Sequence, residues 1–371
     1  MRLTGGRVFA PEGFSVRDVC FEDGIIRSGA GGETENVSGC WVIPGLTDLH
    51  FHGCRGTDVS DGDAEGLRTI AEYELRRGVT QICPAGMTLP PDDLRRMCRT
   101  AAEFRASGAG GAELAGLNLE GPFLAAAKKG AQDAAFLLEP DLALLRELQA
   151  ISGGLVKLIT VAPELPGAAA FISAASSEVT VSLGHSAADY ETAMAAFRAG
   201  AAQVTHLFNA MLPLGHREPG LVGAAADSPS VQVELICDGV HIHPAVVRAV
   251  FRLFGADRVI LVSDSMRAAG MPDGAYTLGG QAVTVSGSRA VLADGTLAGS
   301  VTDLMECLRR AVSFGIAPRD AVAAAALNPA KALGIDSRVG TLDPGREANL
   351  AVLNDDFTLR AVYFHGRPVA L

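Results

Sequence analysis

The sequence predicts an α/β protein: a (β/α)8 TIM barrel that carries a small β-sandwich domain built from both chain termini. Three observations predict it. Eight strand-like apolar runs follow one another through the middle of the chain, several of them separated by amphipathic helical stretches. The first forty and last thirty residues are instead short strands and turns, so the two ends are most economically placed together. Finally, most of the central runs end in a histidine or a carboxylate, and a barrel gathers its strand ends around one pocket.

Taken in order, LTGGRVFA, FSVRDVCFEDGIIRSG and CWVI are the N-terminal strands. ANLAVLNDDF and TLRAVYFHGRPVA, after the turn DPGRE, are their C-terminal counterparts. This assigns residues 1–43 plus 343–371 to the β-sandwich domain and 44–342 to the barrel. The eight runs are LTDLHFH, VTQICPA, LAGLNLEGP, LVKLITVAPE, EVTVSLGHS, AQVTHLFNA, VQVELICDGVH and RVILVSDS. Helices such as DAEGLRTIAEYELRRG, PDDLRRMCRTAAEFRASG, DYETAMAAFRAG and PAVVRAVFRLFG lie between them. A doubly wound open sheet is the alternative, but no GxGxxG follows the first strand. After the eighth run, AYTLGGQAVTVSGSRAVLADGTLAGS predicts a hairpin over the barrel mouth. The helix TDLMECLRRAVSFG then begins after Gly299 and Ser300, where free backbone N–H groups are expected to face the site.

At 371 residues, 48% hydrophobic and 20% charged, the chain has the composition of a globular protein with a large core. A formal net charge of -11 opposes nonspecific binding to nucleic acid or anionic membranes. Seven scattered cysteines without CxxC spacing argue against a zinc ribbon and a disulfide scaffold, and fit a reducing cytoplasm. The N-terminus lacks a signal-like apolar stretch and no segment is long enough to span a membrane, so a cytoplasmic location is expected.

The run-ending residues are His50 and His52, Glu120, His185, His206, His241 and Asp264. On a β-strand, His50 and His52 point to one face about 7 Å apart, close enough for both rings to address one metal ion. Any one such histidine is ordinarily hydrogen-bonded structure, and a lone aspartate is ordinarily a helix cap. Collected at one barrel mouth, imidazoles and carboxylates are the donors that zinc and other divalent first-row metals prefer.

The ordered series PGLTDLHFHG, LEGPF, LGHS, THLFNAM, HREPG, DGVHIHP, LVSD and LAGS resembles the N-acetylglucosamine-6-phosphate deacetylases, a family within the amidohydrolase superfamily. The resemblance spans nearly the whole chain, through NPAKALGI and GTLDPGREANL. It implies that Glu120, His185 and His206 bind a principal divalent metal, with zinc first and iron, manganese or cobalt as alternatives. Asp264 is then the catalytic acid and base, and His50 and His52 could hold a second ion with Glu120 bridging. It also implies a phosphorylated amino sugar as substrate, met by Ala131, Gln132, Asn209, Ala210, Arg217, His241, Gly299 and Ser300. Arg217 acts in its own subunit or reaches in from the neighbour of a homodimer. Gln132 stands where some relatives carry a histidine; an amide can donate to a carbonyl oxygen but supplies no proton. His216, His243 and His365 are expected to be structural or exposed. Lys157 lies too early in its run to act as a carboxylated bridge. A cyclic-amide hydrolase or deaminase on the same barrel, or a metal-binding scaffold without activity, are the competing readings.

Overall fold

The computed structural model describes residues 1–29, 32–108 and 110–371. Among the described residues from 46 onward, a series of eight strands, each followed in the chain by a helix, runs beside shorter strands and helices. The strands are β1 (Leu46–Asp48), β2 (Val79–Ile82), β3 (Leu117–Leu119), β4 (Val156–Val161), β5 (Thr180–Leu183), β6 (Gln203–Val204), β7 (Gln232–Ile236) and β8 (Val259–Val262). After them in turn come α1 (Ala64–Arg76), α2 (Pro91–Ser107), α3 (Leu142–Ile151), α4 (Ala168–Ala175), α5 (Tyr190–Ala199), α6 (Gly220–Ala226), α7 (Pro244–Phe254) and α8 (Leu304–Ser313). Runs such as VKLITV, VELI and VILV form strands because β-branched and aliphatic side chains suit a sheet covered on both faces, and these strands are almost wholly buried. The helices start where an acidic cap satisfies free N–H groups: Asp63 for α1, Asp141 for α3, Asp189 for α5 and Asp303 for α8. Each such cap is worth about 1 kcal/mol.

β1 pairs β2 in parallel, and the short strand Ala85–Gly86 just past β2 pairs β3 and opens a second parallel sheet that continues through β4, β5, β6, β7 and β8. Just past the strand ends the last strand meets the first: Asp264 N–H donates to His50 O at 2.9 Å and His52 N–H to Ser265 O at 2.7 Å. These bonds bring the ends of β8 and β1 together, although their sequence positions lie more than two hundred apart.

The termini share one eight-stranded sheet. It pairs Trp41–Pro44 with Leu350–Leu353 antiparallel, and Arg2–Ala10 lies beside Trp41–Pro44. Leu3, Val8, Val19, Phe21, Val42, Leu350, Val352 and Tyr363 form a core of its own. Trp41–Pro44 runs through Gly45 into β1, and glycine is needed there because a Cβ would collide with the Thr80 side chain. The terminal sheet thus fixes where β1 starts.

The segment expected to be a hairpin is a three-stranded antiparallel meander, Gly274–Leu278, Gln281–Ser286 and Arg289–Val291, because Gly287 and Ser288 make a second turn after Gly279 and Gly280. Its apolar face packs Leu278, Val283, Val285 and Ala290 against Met87, Ala131, Met266 and Ala298. Helix α8 starts at Leu304, later than its sequence suggests. The Ser300 N–H donates to Asp264 O at 2.7 Å, and the α8 N-terminus is capped by Asp303, so neither the Ser300 N–H nor the α8 start offers the free donors expected there.

Candidate metal centre

The β1 ladder ends at Asp48, so His50 and His52 lie on the segment just beyond it and do not follow strand alternation. Backbone bonds hold this segment on both sides: His50 O accepts from Asp264 N–H, and Phe51 O from Ala85 N–H at 2.6 Å. The two rings stand 5.7 Å apart with planes at 87°. Glu120 follows β3, His185 follows β5, His206 follows β6 and Asp264 follows β8.

Three of these residues have positive φ without being glycine: His185 at 48°, His206 at 25° and Asp264 at 48°. A non-glycine residue in that region costs about 1–3 kcal/mol and persists only when its surroundings over-determine it. They do so here. His185 O accepts from Ala125 N–H, His206 N–H donates to Glu234, and Asp264 is bonded through both N–H and O. The strain aims three side chains at one point.

Glu120 Oε1 lies 2.9 Å from His185 Nε2 and 2.8 Å from His206 Nε2, and those two nitrogens are 3.1 Å apart. His50 Nε2 is 3.4 Å from Glu120 Oε1, while His52 Nε2 is 3.3 Å from Glu120 Oε2 and 3.2 Å from Asp264 Oδ1. His50, His52 and Asp264 form one potential ligand group, and His50, Glu120 and His206 another, all buried. His50 Nε2 and Asp264 Oδ1 are buried with no hydrogen-bond partner. Such convergent, partly orphaned donors fit divalent first-row cations.

Electrostatics agree. Burial works against charge at Glu120, yet its carboxyl is held well below the usual carboxylate range by the imidazoles around it, His185 and His50 foremost. Asp264 is likewise lowered despite burial, by the neighbouring imidazoles of His52 and His50. For His52, burial lowers the pKa, but Asp264 and Glu120 outweigh it and raise it to about 10. His50 and His206 are raised too, against burial, by Glu234 and Glu120 for the first and Glu120 for the second. Without a cation, protons balance the carboxylates.

This yields a pH prediction for metal-free protein. Imidazoles with raised folded-state pKa values add stability that is complete below their unfolded value, about 6.5, and is lost as pH climbs through the folded one. For His52 that window ends near 10. Glu120 and Asp264, being lowered, act oppositely: their contribution is present above the ordinary carboxylate range and fades only in acid. Thermal melts of chelator-treated protein should therefore show Tm falling from pH 6.5 towards 10, with the fall reduced in metal-loaded protein. A flat metal-free Tm across that range would contradict this account of the cluster.

Ring orientation comes from the far nitrogens. His52 Nδ1 donates to Ala85 O at 2.9 Å, His185 Nδ1 to Lys128 O at 2.9 Å, and His50 Nδ1 to Glu234 Oε2 at 2.7 Å. A cavity of about 250 Å³ opens in front, lined by His52, Glu120, His185, His206 and Asp264, and by Ala131, Gln132, Asn209, Ala210, His241 and Gly299. Ser300 is buried behind it, its hydroxyl donating to Ser263 O at 2.6 Å. His241 is held by Asp238, whose Oδ2 accepts from its Nδ1 at 2.8 Å and whose Oδ1 accepts from its backbone N–H.

Gln132 is engaged differently from the sequence expectation. Its Nε2 donates to Glu120 Oε2 at 2.7 Å and its Oε1 accepts from Thr88 N–H at 2.7 Å. Arg217 is not part of this chain's own cavity. It is exposed, 2.7 Å from His216 Nε2, beside a separate groove lined by Tyr190, Leu212, Pro213 and Pro219. His243 caps α7, His365 sits in the terminal sheet against Phe364, and Lys157 is early in β4. The reading from sequence missed Met87, which lines the cavity, and Glu234 and Asp238, which orient histidines. A lone glutamate inside the apolar run VELI was the available signal for Glu234.

A curled parallel sheet that collects histidines and carboxylates at the C-terminal ends of its strands is the build of a barrel metallohydrolase. Residues 41–369 match the amidohydrolase family, and the chain belongs to it. It is 36% identical over 358 residues to an N-acetylglucosamine-6-phosphate deacetylase from Lysinibacillus sphaericus, covering 94% of this chain and 92% of that protein. It is also 36% identical to an N-acetylgalactosamine-6-phosphate deacetylase from Escherichia coli O157:H7, covering 88% and 87%. Among solved structures, a mutant N-acetyl-D-glucosamine-6-phosphate deacetylase from Mycobacterium smegmatis, in complex with N-acetyl-D-glucosamine-6-phosphate, superposes with TM-score 0.93 at 32% identity, covering 99% and 98%.

Proposed function

We propose that the protein hydrolyses the acetamide of N-acetyl-D-glucosamine 6-phosphate, giving D-glucosamine 6-phosphate and acetate, in amino-sugar catabolism or cell-wall sugar recycling. The observation that carries this is the convergence of Glu120, His185 and His206 within 3.1 Å of one another, beside an unpartnered Asp264 Oδ1 that borders the same cavity. The relatives named above support the substrate class.

Glu120, His185 and His206 would hold the principal cation, zinc being the best match to two imidazoles and a carboxylate, with iron, manganese or cobalt as alternatives. His50 and His52 would help to hold a second. When bound, a divalent ion lowers the pKa of water and stabilises negative charge on the acetamide oxygen. Asp264, ionised at neutral pH, takes the proton from the attacking water and delivers it to the departing amine nitrogen. With Gln132 tied to Glu120 and Thr88, polarisation of the carbonyl rests on the cation. His241 and Asn209 stand ready for the sugar and its phosphate.

Arg217 is assigned to the phosphate of a neighbouring subunit's substrate in a homodimer; its exposure and its absence from the lining of this chain's own cavity support that placement. The complete (β/α)8 barrel, taken as residues 44–342, is supported by the strand–helix alternation, and a small terminal domain of 1–43 plus 343–371 by its own core; the sandwich form of that domain requires its single eight-stranded sheet to fold over on itself. A cytoplasmic location fits the acidic composition, and among the described residues no helix is long and apolar enough to cross a membrane.

The test is acetate release from N-acetylglucosamine 6-phosphate, from its galactosamine epimer and from unphosphorylated N-acetylglucosamine. Preference for the first supports the reading; activity on dihydroorotate or hydantoin with none on these sugars overturns it. Arg217→Ala sharpens the test, because a guanidinium–phosphate contact is worth about 1.5–3 kcal/mol, or about 10–150-fold in kcat/KM. The loss should appear with the phosphorylated sugar and vanish with the unphosphorylated one; equal losses on both would remove Arg217 from phosphate recognition.

A further inference from the structure

Of the three metal-centre imidazoles whose far nitrogen is held, those of His52 and His185 lean on backbone carbonyls, whereas His50 leans on a carboxylate. Glu234 sits within β7, is 0% exposed, and has three internal donors. Its Oε2 accepts from His50 Nδ1 at 2.7 Å and from the His206 backbone N–H at 3.0 Å, and its Oε1 accepts from Gln203 Nε2 at 2.6 Å. Nothing leaves it free to reach substrate or solvent. The bond to His50 fixes the tautomer in which Nδ1 carries the hydrogen and Nε2 presents its lone pair, and Nε2 is the buried atom left without a partner.

We infer that Glu234 is a positioning residue that makes His50 a metal ligand and, through the His206 backbone, sets both halves of the metal centre in register. This rests on the two-ion reading above and extends it to a residue that touches neither ion nor substrate. A carboxylate is needed because three donors converge on it: an amide in its place has one accepting oxygen and turns an N–H towards one of them. Outer carboxylates behind ligating histidines raise ligand basicity and hold the ring, and their loss typically weakens metal affinity about 10–100-fold.

The experiment is cobalt(II) and zinc(II) binding to metal-free full-length protein, read by ion stoichiometry, chelator competition and the visible absorption of bound cobalt. Wild type is expected to take two ions. Glu234→Gln should keep the tighter one, bind the other about 10–100-fold more weakly and lose part of the cobalt absorption. Glu234→Asp, which keeps the charge at a shorter reach, should fall between and serves if the glutamine variant does not fold. In a His50→Ala background, Glu234→Gln should add no further loss at the weaker site, since the two changes act through one ligand. Wild-type affinity in Glu234→Gln or Glu234→Asp, a further loss in the double variant, or saturation of wild type at one ion would each overturn the inference. None of these readouts involves acetate release, so failure of the deacetylase reading is seen separately.

Discussion

Asp264→Asn lowers kcat by about 10²–10⁴-fold while the ion held by Glu120, His185 and His206 stays bound. That range is what a positioned acid and base contributes. Asparagine has nearly the same shape, and it tolerates the left-handed backbone conformation, at φ 48°, that residue 264 adopts. It cannot accept a proton at neutral pH, whereas the buried Asp264 carboxyl is kept ionised by His52 and His50 against the cost of burial. The check is steady-state turnover with ion content measured on the same preparation. A variant within threefold of wild type would remove Asp264 from proton transfer.

Glu120→Ala should have the second large effect, for a different reason. Its carboxylate lies within 3.4 Å of an Nε2 atom on each of His50, His52, His185 and His206, so among the described residues no other side chain joins as many members of the centre. Removing it takes away a ligand and the negative charge that offsets the cation. The several kcal/mol that a bound ion contributes to transition-state charge then disappear, about 10³-fold or more in turnover. Ion content should fall in parallel. Wild-type ion content and turnover in Glu120→Ala would show that the principal ion is held elsewhere.

Much of this centre was legible because its side chains end apolar runs. His185 after TVSL, His206 after QVT and Asp264 after VILVS all break hydrophobic patterns just past the C-terminal ends of parallel strands, and strand order brings them together. What sequence could not supply was contact between segments far apart. The ladder of β1 stops at Asp48 because the following backbone is drawn to Ala85 and Asp264, so the spacing of His50 and His52 is set by those bonds and not by strand geometry. Gln132 reads as a substrate donor until its amide is found between Glu120 and Thr88. Glu234 reads as an interruption in a strand until His50 is found behind it. Arg217 carried a clear motif, but a motif does not say which cavity its side chain serves.

Metal-dependent deacetylation by the strand-end cluster is tested directly by a titration. Metal-free protein is given increasing zinc, and acetate released from N-acetylglucosamine 6-phosphate is followed as ions bind. The account predicts a rate near zero without metal, rising with the ion held by Glu120, His185 and His206 and levelling off by two ions per chain. Metal-free protein that releases acetate as fast as the loaded form, or loaded protein that releases none, would contradict it.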